Sequence, residues 1–375
     1  MKYKISLTPL GRYFFGGDMT FKVANRSQYN EQYGSYIIRS NQFPQQTSLL
    51  GMMRFLLLSN HTGAFNKDTH KITSTQEAGK LIGPRGFVIT DEYEKNNYGL
   101  IKNISFCFLE IADGKGVGQV LLPAPKDYGY EVDFDTSTLA VFNEHHSPMP
   151  VITGYNPKEY KEPVFLKENQ PISSSQLFLE DVRIGIEKKY DGKTDENDNA
   201  YYKQIYYRLG DDKWAGKIHF TFYVEVEDRI DLTQKPYQRS VVSLGGDNSS
   251  FVFEAFPCAE EVSVAYAAGY NEPFTWGTDY KVVLLSDAYL LRSEVEGCIY
   301  AISGVKPFRF LQTMVATKDY TILSSDSLRS KKYYLYEKGS VFYCTKEQLD
   351  KFLIALDKPC FRQIGYNACQ VLIKK

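Results

Sequence analysis

Cysteine is scarce and widely spaced in this chain. Its six cysteines, among 375 residues, never lie closer together than nine positions, which excludes both a CxxC zinc knuckle and a compact disulfide framework. We therefore expect reduced thiols, no bound metal or other cofactor, and a cytoplasmic location.

Long hydrophobic runs are also missing. No stretch reaches the roughly 18 to 20 apolar residues needed to cross a bilayer, and the opening MKYKISLTPLG alternates instead of forming an apolar run. The sequence predicts neither a membrane span nor a membrane partner.

An excess of positive charge is absent from the chain as a whole. Its net charge is −1, whereas generic nucleic-acid binders usually carry a clear basic excess. Residues 281–375 differ, because they contain 15 Lys and Arg against 9 Asp and Glu, a net charge of +6. This end could face phosphates while the other faces a protein, although ordinary scatter of solvated charge explains the asymmetry equally well.

Aromatic residues, in contrast, are abundant. The chain has 29 Tyr and 24 Phe, a composition that favours strands and excludes a disordered protein. Its length predicts two domains of roughly 150 to 200 residues each. We place the boundary in the polar, proline-containing segment 228–239, which gives domains of residues 1–235 and 236–375.

The pattern of apolar residues predicts an α+β fold. In the first domain it predicts a strand in KYKISLTPL, a following loop, a helix from Thr47 or Ser48 to Leu58, and further strands at 86–90, 104–111 and 217–226. In the second domain it predicts strands in SFVFEAF, YKVVLLS and GSVFYC. A helix capped by Thr345 and Gln348 and closed by Pro359 then leads to a glycine loop near Gly365 and a last strand. The order strand, helix, glycine loop, strand suggests a ferredoxin-like unit.

Residues 183–209 read RIGIEKKYDGKTDENDNAYYKQIYYRL, two basic and aromatic arms around a centre that is too polar to pack. The arms read as strands, so this segment predicts a protruding β-hairpin. A plain solvated surface hairpin would have the same pattern.

Several runs occur in order along most of the chain: FPQQTSLLGMMRFLL, RIGIEKK…YYKQIYYRL, VSLGGDNSSFVF, SGVKPFRF…YEKGSVFYC and RQIGYNACQVLI. Together they resemble the third subunit of type III-B (Cmr) CRISPR effector complexes, in the RAMP superfamily. The resemblance implies two RRM-like, ferredoxin-like domains, a thumb-like hairpin around 183–209, and no catalytic centre. It also implies that the protein grips the 5′ handle of the crRNA, contacts the large palm-domain subunit and the backbone RAMP subunits, and meets target RNA only indirectly.

The chain departs from this family in two places. The C-terminal loop, which carries several glycines in the superfamily, has only Gly365 here. The stretch VANRSQYNEQYG makes Arg26 a poor match to the family's arginine- and glycine-containing segment.

Single-stranded RNA is held by phosphate charge, by aromatic stacking and by close backbone approach at glycine. Residues of these types in the matching runs, together with Arg12 after the first strand and Arg39 in IIRSNQFP, form our set of candidate RNA-binding residues. They are Arg12, Arg39, Arg183, Lys188, Lys189, Lys203, Tyr206, Gly245, Gly246, Lys306, Arg309, Gly365 and Tyr366.

Other interpretations remain open. Gly245-Gly246-Asp247 resembles a metal-binding turn, but it supplies one carboxylate where two-metal chemistry needs two, so we expect a tight turn. Arg54, inside the apolar helix, needs either an acidic partner or a phosphate. His145 and His146 allow a metal-independent guide-processing endoribonuclease. A scaffold that contacts protein alone and the equivalent type III-A subunit are further alternatives.

Overall fold

The structure of the protein is a computed structural model. It describes residues 1–16, 19–24, 33–112, 118–133, 151–153, 158, 162–168, 170–186, 201–211, 213–214, 216–258, 264–266, 280–315 and 329–373.

The described residues form many short strands and few helices. The strands are β1 (Lys2–Pro9), β2 (Met19–Ala24), β3 (Tyr33–Arg39), β4 (Phe65–Asn66), β5 (Lys71–Ile72), β6 (Ile101–Ile104), β7 (Phe108–Ile111), β8 (Gln119–Pro123), β9 (Glu131–Asp133), β10 (Val151–Thr153), β11 (Val164–Lys167), β12 (Gln170–Ser173), β13 (Phe178–Ile186), β14 (Tyr201–Leu209), β15 (Ile218–Val226), β16 (Ser240–Ser243), β17 (Ser250–Pro257), β18 (Tyr280–Leu284), β19 (Tyr300–Ile302), β20 (Val305–Phe308), β21 (Tyr333–Tyr336), β22 (Val341–Cys344) and β23 (Cys369–Ile373). The helices are α1 (Gln46–Ser59), α2 (Thr75–Ile82), α3 (Ser174–Leu177), α4 (Arg292–Val295), α5 (Lys346–Leu356) and α6 (Pro359–Arg362). The α+β class predicted from the sequence is confirmed, while the ferredoxin-like description of its units stays a prediction.

A nine-stranded antiparallel sheet forms the centre of the molecule. Its strand order is β12-β11-β8-β7-β15-β1-β17-β16, and β6 also pairs with β15. Because side chains alternate along a strand, β1 buries Tyr3, Ile5 and Leu7 on one face, as its sequence predicted. These residues belong to the same core cluster as Leu49 and Met53 of α1.

A smaller sheet, with the order β19-β22-β18-β23, forms a second layer. One of its faces shares a core cluster with the large sheet, which contains Tyr343 of β22 and Phe108 of β7. The other face packs on α5, where Phe342 meets Phe352 at 4.8 Å. With the β20–β21 pair and the four-residue helix α6 set aside, the elements of this unit follow the order βαββαβ.

The two predicted domains share one sheet in the structure. Strands β16 and β17 follow the predicted boundary at 235/236, but they pair with each other and with β1 in the large sheet. Phe308 and Phe361, far along the chain, lie in the same core cluster as β1. The boundary at 235/236 therefore does not coincide with a boundary between sheets, because polar residues and a proline mark a loop whether or not the next strand returns to the same sheet.

A third sheet, which we call the hairpin sheet, has the order β13-β14-β3-β2. The predicted hairpin arms pair in antiparallel register from Phe178↔Leu209 to Ile186↔Tyr201, and β14 also pairs in parallel with β3. The arms are thus confirmed, but they form part of a larger sheet, and the loop expected after β1 contains two of its strands. Lys188, Lys189 and the polar centre at 191–200 lie outside the described residues.

Three other elements test the sequence predictions. The capping box of Thr345 and Gln348 at the start of α5 is confirmed. Helix α1 begins earlier than expected, with Gln45 at the N-cap and no side-chain cap. Residues 86–90 form no strand, because their backbone is engaged by loops: Gly86 donates to the Thr313 carbonyl and Val88 to the Asn96 side chain.

Candidate functional site

Arg12 lies over the ring of Tyr206 on one face of the hairpin sheet. The guanidinium carbon is 4.9 Å from the ring centroid, within the range of a cation–π contact. Arg12 is exposed, and none of the ion pairs among the described residues involves it. Tyr206 is buried beneath it, with 8% of its surface exposed. The pair therefore presents a fixed guanidinium at the surface.

The backbone around Arg12 explains why it reaches this position. Tyr13 exchanges two backbone hydrogen bonds with Tyr207 of β14, at 2.8 and 3.1 Å. On its other side, the carbonyl of Phe14 accepts a bond from Gly246 at 2.7 Å. Residues 12–15 thus bridge β14 and the glycine turn, which fixes Arg12 over the strand.

The Gly-Gly-Asp sequence forms the expected tight turn. Gly245 has a φ of +93°, and a Cβ there would lie 2.3 Å from the Phe14 carbonyl oxygen, so only glycine fits. Asp247 Oδ2 accepts hydrogen bonds from the Tyr206 hydroxyl at 2.7 Å and from the Gln204 amide. The carboxylate anchors the turn to β14, and no group of three or more metal-ligating side chains occurs in the described ranges.

Two more arginines lie on the same face of the hairpin sheet. Asp181 is opposite Tyr206 in the β13–β14 register, and Arg183 is opposite Gln204. Asp181 pairs with Arg183 at 2.9 Å and lies 3.9 Å from the Nε of Arg208. Both arginine side chains keep more than half of their surface exposed.

We name this surface the arginine face. It consists of Arg12, Arg183, Arg208, Gln204 and Tyr206, with Asp181, Asp247 and the turn at Gly245 and Gly246. Three arginines against two carboxylates leave a net positive charge. Such a surface can hold a phosphate, and an arginine plane can stack on a base.

Other candidates lie on the opposite face of the same sheet. Arg39 pairs with Glu180 at 2.5 Å, and the exposed Lys203 is opposite Ile184 in the register. Val182 and Ile184 of β13 expose 45% and 73% of their surface on this side. The sheet thus separates the candidate residues into two groups.

Lys306 and Arg309 belong to β20 and the residues just after it. Lys306 makes an ion pair with Asp287 at 2.6 Å, while Arg309 is exposed. The described contacts do not join either of them to the arginine face.

Gly365 and Tyr366 are core residues and not an RNA loop. A Cβ on Gly365 would lie 2.2 to 2.4 Å from Gln46 and from the backbone of Ser105 and Phe106. Tyr366 is 1% exposed, and burial raises the pKa of its phenol. The close approach that its glycine predicted is real, but the partner is the protein's own backbone.

Sequence reasoning missed the acceptors and amides that organise the arginine face, namely Gln204, Asp181, Asp247 and Phe14. A signal existed for Gln204, because its spacing of two residues from Tyr206 and four from Arg208 places all three side chains on one face of the strand. Asp181 gave no comparable signal, and Asp247 was singled out only as part of the Gly-Gly-Asp turn, since the roles of both carboxylates depend on segments distant in sequence.

Arg54 is held by backbone carbonyls and a hydroxyl among the described residues. Its guanidinium donates to the carbonyls of Ile82 and Gly83 at the end of α2 and to the Thr313 hydroxyl at 3.0 Å, which satisfies carbonyls that a helix end leaves unpaired. Arg26, His145 and His146 lie outside the described residues.

Comparison with known proteins gives one match that covers nearly the whole chain. The family model described as "CRISPR-associated protein (Cas_Cmr3)" matches residues 5–374. No curated protein matches this sequence. In the described part of the chain, no helix is long and apolar enough to cross a membrane.

Solved structures also resemble this fold. One is titled "Cryo-EM structure of the Type III-B Cmr-beta bound to cognate target RNA", with 12% identity, a TM-score of 0.49, and coverage of 100% of this chain and 99% of that chain. A second, of the same assembly with AMPPnP, has 13% identity and a TM-score of 0.46, and covers 99% of this chain and 96% of that one. A third, of a Csm3-Csm4 subcomplex of type III-A, has 12% identity and a TM-score of 0.35, and covers 92% of each chain.

Proposed function

The chain belongs to the Cas_Cmr3 family of CRISPR-associated proteins, the third subunit of type III-B effectors, and we propose that it holds the 5′ handle of the crRNA as a non-catalytic subunit. In this role it bridges the large palm-domain subunit to the backbone RAMP subunits and meets target RNA only through the assembly. Such a complex would act in the cytoplasm, where its RNAs are found.

The arginine face is the observation that carries the RNA-binding part of this proposal. It combines the three features that single-stranded RNA needs: exposed guanidinium groups, an aromatic ring beneath one of them, and a glycine turn beside it. Its polar groups bond mainly to one another, which fixes the arginines before RNA arrives. A surface fixed in advance loses less conformational entropy on binding.

A holding role agrees with the chemistry of the described residues. Asp247, the acid of the Gly-Gly-Asp turn, is bonded to Tyr206 and Gln204 and has no second carboxylate among its contacts. This supports assigning the turn to structure. The endoribonuclease alternative depends on His145 and His146, so incubation of the isolated protein with repeat RNA, with and without His145→Ala, distinguishes the two functions.

We test the proposal with Arg12→Gln in the reconstituted effector. Loss of one exposed phosphate or stacking contact should reduce crRNA retention by about tenfold, from the roughly 1 to 3 kcal/mol that such a contact contributes. The matched control is Arg292→Gln, because Arg292 is 92% exposed and its ion pair within the described residues is with Glu296 at the end of α4. Equal RNA retention in both variants would contradict the assignment of the arginine face.

A further inference from the structure

A second concave site lies between the large sheet and the smaller unit. The cleft has a volume of about 850 Å³. Aromatic side chains line its walls, namely Phe43, Tyr128, Tyr130 and Tyr300. This volume and lining fall within the range of small-molecule and nucleotide sites.

Two lysines contact the carboxylate of Asp287 in this cleft, one through its ammonium and the other through its backbone N–H. Asp287 binds the Lys306 ammonium at 2.6 Å and accepts the backbone N–H of Lys338 at 3.0 Å. The Lys338 ammonium lies over the Phe43 ring, 2.7 Å from its centroid, and makes no ion pair or side-chain hydrogen bond with the described residues. Lys126 and Glu337 pair with each other nearby at 2.8 Å. The cleft as a whole is lined by three lysines and three carboxylates, because Glu162 also belongs to its lining. Glu162 is not among the charged neighbours of Lys338, so the surplus of one cation is local to the Asp287 end.

The charge on Lys338 is costly without a counter-ion. Burial lowers the pKa of Lys338 to about 7, with Asp287 opposing the shift. The neighbours of this ammonium are Asp287, Lys306, Glu337 and Cys107. The lysines lower the pKa of Asp287, which keeps it ionised, and burial raises the pKa of Cys107 to about 12, which keeps the thiol neutral. An anion beside Lys338 would neutralise the cation that Asp287 leaves unbalanced.

The cleft adjoins the end of β3, which is Arg39. Residues 40–43 line its edge, and Asn41 bonds to the Phe15 carbonyl at 2.8 Å. Phe15 belongs to the same short segment that holds Arg12 over Tyr206. Phe43 of the cleft packs on Phe178 of β13 at 5.6 Å, and by strand alternation Phe178 lies on the face of the hairpin sheet opposite to Arg12.

We propose that this cleft binds one nucleotide unit of single-stranded RNA, with its phosphodiester beside Lys338 and Lys306 and a base against the aromatic walls. The identification of this RNA strand as the crRNA rests on the proposed function. The proposal that the cleft binds a nucleotide rests only on the lysines and aromatic rings of the cleft. A phosphodiester carries one negative charge, which matches the surplus of one cation.

Protonation of Lys338 makes phosphodiester binding at this site depend on pH. The ammonium form attracts the phosphodiester, and the neutral amine does not, so binding is strong below the pKa of about 7 and is lost as the pH rises through it. The probe is the dinucleotide ApA, because its diester keeps a constant charge, whereas a phosphomonoester changes charge near pH 6. Affinity of the full chain for ApA should fall on the order of tenfold between pH 6 and pH 8.5.

The decisive comparison uses Lys338→Met, with Lys332→Met as its control. Lys332 lies over Tyr334 on the exposed side of β21, so its loss should leave ApA binding unchanged. Lys338→Met should lose about tenfold at pH 6 and should remove the pH dependence. Removal of a half-buried charge should also leave the protein folded, which a thermal melt checks.

Two results would overturn the inference: wild-type protein that does not bind ApA, or Lys338→Met that binds it with wild-type affinity and pH dependence. Retention of crRNA in the assembly with Arg12→Gln is measured separately. Unchanged crRNA retention in Arg12→Gln together with normal ApA binding would contradict the RNA-binding role of the arginine face and would leave the cleft proposal supported.

Discussion

Two glycines of this chain meet opposite steric conditions, and they illustrate structure at the scale of single residues. Gly365 has a φ of +87° and is enclosed by the backbone of Ser105 and Phe106. Gly51 lies in the middle of α1, where an added Cβ would meet nothing within 4 Å. The same residue type is thus required at one position and optional at the other.

Alanine at these positions should change stability in opposite directions. Gly365→Ala should lower the free energy of unfolding by about 3 kcal/mol or more, because it adds both backbone strain and overlap with main-chain atoms. Gly51→Ala should raise it by about 0.5 to 1 kcal/mol, since alanine favours a helix over glycine. Urea unfolding of both variants checks this, and a Gly365→Ala protein as stable as wild type would contradict the core assignment.

Gly365 also marks a limit of prediction from sequence. A glycine in a turn signals that something approaches the backbone closely, but not whether it is a phosphate or another strand. Tyr366 has the same ambiguity, because a tyrosine beside such a turn can stack on a base or fill a core. The packing of residues 105–106 against this turn decides the matter, and no local pattern encodes it.

At the scale of elements, β13 ends at Ile186, two residues before a pair of lysines. Lys188 and Lys189 continue β13 in sequence and remain candidates for phosphate contact. If both meet the RNA backbone, replacing them removes two counterion-releasing contacts. For single-stranded nucleic acids, each phosphate contact contributes about 0.7 to the steepness with which log affinity falls against log salt concentration.

The double variant Lys188→Gln with Lys189→Gln should therefore flatten the salt slope of crRNA binding by about 1.4. The control is Lys67→Gln with Lys71→Gln, two exposed lysines on the remote β4–β5 pair. Binding measured between low and moderate salt gives the slope directly. A slope equal to that of the control would leave the hairpin as an ordinary solvated surface.

Strands with strong alternation were predictable, and pairings were not. Strand β15 buries Ile218, Phe220, Phe222 and Val224, as its sequence indicates. The parallel pairing of β14 with β3 joins residues more than 160 positions apart, and no local signal specifies such a register. The apolar run at 86–90 was predicted as a strand from its composition. It forms none, because its backbone hydrogen bonds go to Thr313 and Asn96, and the run itself does not reveal these partners.

At the scale of the whole molecule, two lysines of the last quarter are buried in ion pairs inside the protein. Lys281 forms a buried ion pair with Asp127, which also accepts a bond from the Tyr343 hydroxyl at 2.8 Å. Lys358 pairs with Glu294 at 2.9 Å with only 4% of its side chain exposed. Eight other cations of this quarter are exposed, namely Arg292, Arg309, Arg329, Lys331, Lys332, Lys346, Lys351 and Arg362. The last quarter therefore keeps a basic surface of its own, separate from the arginine face.

The large sheet and the smaller unit also share their core, which bears on how the protein would act in an assembly. Strands β16 and β17 return to β1, and the buried pair of Lys281 with Asp127 joins the two layers. We expect the chain to move as one body when RNA binds. A rigid support of this kind would keep the arginine face and the cleft at a fixed spacing from each other.

Photocrosslinking of the assembled effector tests the central claim most directly. A crRNA carrying 4-thiouridine at single positions is irradiated in the complex, and the crosslinked peptides of this chain are mapped. We predict that positions in the 5′ handle crosslink to peptides containing Arg12 or residues 201–209. Handle positions that crosslink only to other subunits, or a chain that crosslinks only to the opposite end of the guide, would contradict this assignment.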